Sequence, residues 1–227
     1  MATLTQTGQT VPEKVMEEQK TAKAVLGGSL AEGIVGGATI VLALIGLSGY
    51  SPQLMLSIAT IALGAAFLFE GGAISMRFSK LLEETSRDRL DEAELGIGLT
   101  SEFLGGIAGV VLGILALLGL HPMILIPVAV IVFGSTLMFS TGVTVRLDAL
   151  ELEGAEATRL RRIAHEAVKA AAGAEFLLGL SAAVLGIIAL AGVFPSTVSL
   201  VAVLIVGLTG FFTGAAITAR MTSLFRR

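Results

Sequence analysis

The chain has 227 residues, of which 54% are hydrophobic and only 15% charged, with a mean hydropathy of +0.89 and a net charge of −3. Soluble domains carry about 25% charged residues, so this composition belongs to a membrane protein. The absence of cysteine excludes disulfides, thiolate metal sites and cysteine nucleophiles together.

Residues 1–23 form a polar, charged N-terminal arm with no basic segment leading into a cleavable apolar core, so an uncleaved first span is expected rather than a signal peptide. Val11–Lys23 can form a helix with Pro12 in its first turn, lying on the membrane surface or fraying. Six apolar stretches follow, at about 24–47, 53–76, 95–119, 123–145, 168–191 and 197–219. Each is close to the roughly 20 residues that a helix needs to cross the hydrocarbon. They divide the chain into hairpins at 24–76, 95–145 and 168–219, connectors at 77–94 and 146–167, and a tail at 220–227.

The three hairpins share a register. Counting from Glu32, Glu102 and Glu175, glycine stands at +4 (Gly36, Gly106, Gly179) and at +17 (Gly49, Gly119, Gly192). Proline follows at +20 (Pro52, Pro122, Pro195), glycine at +32 (Gly64, Gly134, Gly207) and phenylalanine at +37 (Phe69, Phe139, Phe212). Landmarks that hold over some forty residues without a gap mark an internal threefold repeat. The expected fold is an all-α membrane protein of six transmembrane helices, arranged as three helical hairpins with approximate threefold internal symmetry. The turns GYSP, GLHP and GVFP end one helix with glycine and start the next with proline, which cannot continue a helix. Pro127, in the fourth span, has no counterpart and is a candidate kink.

All fifteen Lys and Arg fall at one end of the six stretches, in the arm, the connectors, the start of the fifth stretch (Lys169) and the tail, and the three turns carry no charge. The positive-inside rule therefore places both termini in the cytoplasm, most naturally of a bacterial or archaeal cell, with the turns outside. Tryptophan is missing and Tyr50 is the single tyrosine, so an aromatic belt is nearly absent. The connectors, rich in Leu, Glu, Arg and Ala, read as helical extensions laced by charge pairs. The RLRR cluster at 159–162 is an ordinary cytoplasmic anchor or a contact for anionic headgroups, and without a basic face or interleaved aromatics it gives no support for nucleic-acid binding.

The first helix of each hairpin carries a narrow small-residue face at 0, +4, +7, +11 and +14. It reads Glu32, Gly36, Thr39, Ala43, Gly46, then Glu102, Gly106, Gly109, Gly113, Ala116, then Glu175, Gly179, Ala182, Gly186, Ala189. Small residues let membrane helices approach backbone to backbone, so this stripe is expected to face another helix and the Ile, Leu and Val faces to meet lipid. Each glutamate shares the packed face and therefore points into protein. A fourth acid, Glu70, lies at +38, and folding a hairpin about +19 brings it level with the other three; Ser140 and Thr213 are its equivalents.

An acid at this depth is paired, hydrated or protonated. The layer Glu32, Glu70, Glu102 and Glu175 admits four uses: structural carboxylates at helix ends, a proton or cation pathway, lipid or small-molecule binding, and a metal centre. The metal reading lacks an intramembrane histidine, because His121 and His165 fall on opposite sides, and no metal or other cofactor is expected. Phosphate-binding loops, nucleophile elbows and zinc-protease motifs are absent.

The segment VLGIIALAGVFPSTVSLVAVLIVGLTGFFTGA at 184–215 resembles the HdeD-like acid-resistance group of short-repeat membrane proteins. The resemblance extends over 24–219 and implies six spans and a stress-linked role, with no catalytic residue to carry across. The expected function is a non-enzymatic membrane component, structural or stress-related, whose partners are the bilayer and, as candidates, further copies of itself or other membrane subunits. The alternative is a proton or cation channel or carrier that uses the glutamates.

Overall fold

A computed structural model describes residues 11–84, 89–152 and 159–225. Residues 1–10 of the arm, 85–88 and 153–158 of the connectors, and Arg226 and Arg227 lie outside the described residues. The described chain is all-helical: α1 (Val11–Leu47), α2 (Pro52–Glu84), α3 (Arg89–Leu117), α4 (Pro122–Leu152), α5 (Arg159–Leu190) and α6 (Pro195–Phe225). Five helices contain stretches long and apolar enough to cross a membrane: Leu30–Leu47, Pro52–Gly71, Pro122–Thr141, Ala172–Leu190 and Pro195–Ala216. The sixth apolar stretch, Ser101–Leu117, is shorter and belongs to α3, which is 29 residues long. These helices make the chain an integral membrane protein.

The helices overrun the apolar stretches. α1 is a single helix of 37 residues, about 55 Å at 1.5 Å per residue against a hydrocarbon core of about 30 Å. The arm from Val11 onward thus continues without a break into the first span. α2, α4 and α6 likewise run on past the apolar residues toward Glu84, Leu152 and Phe225. Pro127 sits inside α4, in its second turn, and the helix continues through it.

The turns follow from their residue types. Gly49, Gly119 and Gly192 adopt φ of 94°, 84° and 89°, a left-handed backbone that side chains resist and glycine accepts. Gly119 and Gly192 donate to Ala116 O and Ala189 O, while Leu120 and Val193 donate to Leu115 O and Ile188 O, which satisfies carbonyls that a helix end otherwise leaves open. Ser51, His121 and Phe194 (φ 39° to 41°) precede each proline, and their carbonyls accept the first bonds of the next helix. Proline as the first helical residue gives up no bond, because that N–H has no partner in any helix.

The six helices close into a ring in which each packs on its neighbours in the chain and α1 packs on α6. α2, α4 and α6 also touch one another and form the interior, with α1, α3 and α5 seated in the grooves between them. The core is contributed mainly by the inner helices. Leu56, Ala59 and Leu63 of α2 meet Ile126, Ala129, Val130 and Phe133 of α4 and Leu200, Ala202, Val203 and Val206 of α6. The rings of Phe67 and Phe133 pack at 5.3 Å between centroids. Ile34, Val41, Leu104, Val111, Leu177 and Ile187 on the outer helices are exposed, as lipid-facing residues are.

Candidate functional site

The small-residue faces set where the glutamates go. Gly106 on α3 crosses Gly64 on α2, Gly179 on α5 crosses Gly134 on α4, and Gly36 on α1 crosses Gly207 on α6. A methyl group built at Gly106 would lie 2.8 Å from Gly64 O, at Gly179 2.8 Å from Gly134 O, and at Gly36 2.6 Å from Gly207 O. No real side chain fits there. The hydrogen in its place points at the opposing carbonyl, a weak Cα–H···O contact that only glycine makes at this separation. Lower along the same face, Gly113 abuts Ile61 N and Ser57 O, and Gly186 abuts Ile131 N and Pro127 O. Gly109 leaves room for the ring of Phe133.

With the helices held this close, the glutamates at the head of each stripe are carried toward the bundle interior. Glu32 is 6% exposed and Glu102 3%, while Glu70 and Glu175 are half-buried. All four lie within electrostatic reach of one another: Glu32 with Glu70, Glu102 and Glu175, Glu102 with Glu70 and Glu175, and Glu70 with Glu175. The Ser140 hydroxyl of α4 donates to the Glu102 carboxylate. Even so, Oε2 of Glu32 and Oε2 of Glu102 are buried with no hydrogen-bond partner. Such orphaned atoms are few in native proteins and each calls for a cause.

Glycines make the room. The Cα of Gly71 on α2 faces the Glu102 side chain, 3.2 Å from a built methyl to Glu102 Cβ. Gly210 on α6 faces Glu32, at 3.4 Å from a built methyl to Oε1. Gly210 stands at +35, where the other hairpins have Phe67 and Leu137, so only α6 leaves this space open. A cavity of about 10 Å³ results, lined by Glu32, Gly36, Leu63, Ala66, Phe67, Leu137, Val206 and Gly210, with room for about one water molecule.

A second cavity of about 10 Å³ lies at the turn end of the bundle, among Gln53, Leu56, Met123, Ile126, Pro127, Ser196 and Ser199. There the three residues at +21 converge, with Gln53 Nε2 and Ser196 Oγ donating to Met123 Sδ at 3.8 and 3.7 Å. Among the described residues no three of His, Asp and Glu come together as metal ligands. His121 is exposed at the turn end, and the side chain of His165 lies outside the described residues.

Gly36, Gly106, Gly109, Gly113, Gly179 and Gly186 are all buried at helix contacts. Sequence reasoning did not supply their partners, Gly64, Gly134 and Gly207, nor the glycines beside the carboxylates, Gly71 and Gly210. The glycine at +32 was visible as a landmark, and its depth close to that of +4 was the available signal. Comparison with family models, curated proteins and solved structures finds no match to this chain.

Proposed function

We propose that the protein is a non-enzymatic integral membrane component, structural or stress-related, built as three hairpins about an approximate threefold axis and open to assembly with itself or with other membrane subunits. One observation carries this reading: the interior between α2, α4 and α6, along the proposed axis, is filled. Between the glutamates and the turn end stand Leu63, Phe133 and Val206, then Thr60, Val130 and Val203, then Ala59, Ala129 and Ala202, then Leu56, Ile126 and Ser199, none more than 3% exposed. The two hydroxyl-bearing residues do not join into a path, since Thr60 donates to Leu56 O within its own helix. Conduction needs a continuous polar or hydrated lining. The sequence also offers no catalytic motif or cofactor site, and the stress-related element rests on the HdeD-like resemblance. Both termini are assigned to the cytoplasm from the distribution of Lys and Arg, with the three turns outside.

The reading is tested in sealed vesicles containing the purified protein, where proton, sodium and potassium flux should match that of protein-free vesicles. Flux that disappears in Glu102→Gln would replace it with a second reading, a proton or cation pathway through the glutamates. The orphaned Oε2 atoms of Glu32 and Glu102 favour that alternative. Orientation is tested separately by cysteines placed at Ser51, His121 and Ser196, which should react from outside only.

A further inference from the structure

We propose that the four glutamates form a proton-binding site open to one membrane face, with Glu32 and Glu102 as the groups that take up and release the proton. The inference rests on the filled axis of the preceding reading and adds a ligand to it. Acidic residues in proximity are not by themselves a site, and two further features point to a ligand here. Oε2 of Glu32 and Oε2 of Glu102 belong to side chains 6% and 3% exposed, and neither has a partner. Glu32 also lines a cavity otherwise bounded by apolar side chains and glycine.

The geometry selects among ligands. A metal ion needs several carboxylates around one point, and no three acids converge that way among the described residues. Beside Glu32 the cavity of about 10 Å³ has room for about one water molecule, too little for an organic cation or a lipid headgroup at that residue. A proton needs only one oxygen. It converts a buried carboxylate into a neutral carboxyl, which removes the charge that makes an isolated Oε2 costly without any other group moving in.

Among the described side chains around the glutamates none is basic. Glu32 on α1 lies within electrostatic reach of Glu70 from α2, Glu102 from α3 and Glu175 from α5. Glu102 faces the same α2 and α5 acids and the Ser140 hydroxyl of α4. α4 between Pro122 and Thr141, and α6 between Pro195 and Ala216, carry no titratable residue. The nearest basic residues along these helices are Lys23, Arg77, Arg146, Lys169 and Arg220, each at least six residues from the level of the glutamates.

The proposed route for the proton runs through Glu70 and Glu175, which are less buried than the two inner acids. In the uptake step a hydronium ion on that side gives its proton to a carboxylate and leaves as water, and the carboxylate becomes a carboxyl group. Proton transfer among the acids then brings the charge-neutral form to Glu32 or Glu102. Apolar residues at 3% exposure or less block onward movement to the turn end. Glu32 abuts Gly210 and Glu102 abuts Gly71, so the proton is read at the α1–α6 and α2–α3 crossings.

The test is infrared spectroscopy of the full chain in oriented vesicles. A carboxylic-acid C=O band should vary with bulk pH, and E32Q and E102Q should each remove part of its amplitude while circular dichroism stays helical. Should E32Q not fold, the wild-type band and its salt dependence decide. The band should be unchanged when sodium is exchanged for potassium or for a bulky organic cation at fixed pH, and should respond to pH on the face that bears Glu70. No carboxylic-acid band at any pH where the protein is folded would overturn the proton site and leave the filled axis standing. Loss of the band on adding sodium at fixed pH would overturn it in favour of an alkali cation. A response to pH from either face would overturn the one-sided site and the filled axis together.

Discussion

The three glycine crossings and the glutamate end of the bundle are built from the same offsets, yet they differ in kind. At the crossings the residues agree in all three hairpins: glycine at +4 meets glycine at +32, and backbone meets backbone. One or two turns away, the +35 position is Phe67, Leu137 and Gly210, and the +38 position is Glu70, Ser140 and Thr213. Backbone contact leaves no latitude for side-chain variation, since any Cβ intrudes. Where side chains face one another across an interior, a large residue in one hairpin is accommodated by a small one in another. Divergence therefore collects at the end that carries the glutamates.

Several substitutions would break or sharpen that contrast. The largest effect is expected at the crossings. Gly106→Leu or Gly179→Leu should cost about 3 kcal/mol or more by overpacking against backbone, enough to prevent recovery of folded protein. Leucine at Ile107, which is 41% exposed, should change stability by less than about 0.5 kcal/mol in a denaturant titration in detergent. Equal losses at both positions would mean that the crossings are not where the bundle is held.

The crossings themselves are not quite alike. A methyl at Gly134 would meet Ala183 N and Gly179 O at 2.5 Å, both backbone atoms, whereas at Gly207 it would meet Thr39 Cγ2 at 2.9 Å. Gly134→Ala should thus cost about 2 kcal/mol and Gly207→Ala about 1 kcal/mol, with Thr39→Ala recovering part of the second loss only. Coupling energies from a double-mutant cycle are the measurement.

At the turns the cost should be conformational alone. Nothing lies within 4 Å of a methyl built at Gly119, so Gly119→Ala should lose about 1 kcal/mol through its φ of 84°. The smallest effect belongs to the glutamate end: Gly210→Ala places a methyl at ordinary contact distance from Glu32 Oε1 and should be close to neutral in thermal unfolding. A large loss there would show that the space beside Glu32 is already occupied.

Much of this architecture was legible before any coordinates. Hydropathy gave the six apolar stretches, and Gly-x-x-Pro gave the turns, because both signals are local. Register placed Glu70 level with Glu32, because a hairpin folded at its turn fixes depth. The neighbour of each stripe was not legible. α2, α4 and α6 all offer glycine at +32, so three equivalent partners compete and only ring closure decides that Gly106 meets Gly64 rather than Gly134. Nor could register tell that Glu32 and Glu102 are buried while Glu175 is half-buried, because that difference depends on glycines such as Gly71 and Gly210 contributed by other hairpins.

The ring has a consequence for the order in which the molecule is made. α3 arrives to find α2 already synthesised, and α5 to find α4, so each can lay its glycine face on a finished neighbour. α1 is different, because its partner α6 is the last helix to emerge. Gly36, Thr39 and Glu32 must wait through the insertion of four intervening helices before Gly207 and Gly210 cover them. Domains fold in chain order during synthesis, and surfaces left uncovered in that interval are the ones that pair wrongly. The glycine face of the first helix is thus the packing surface that waits longest for its cover.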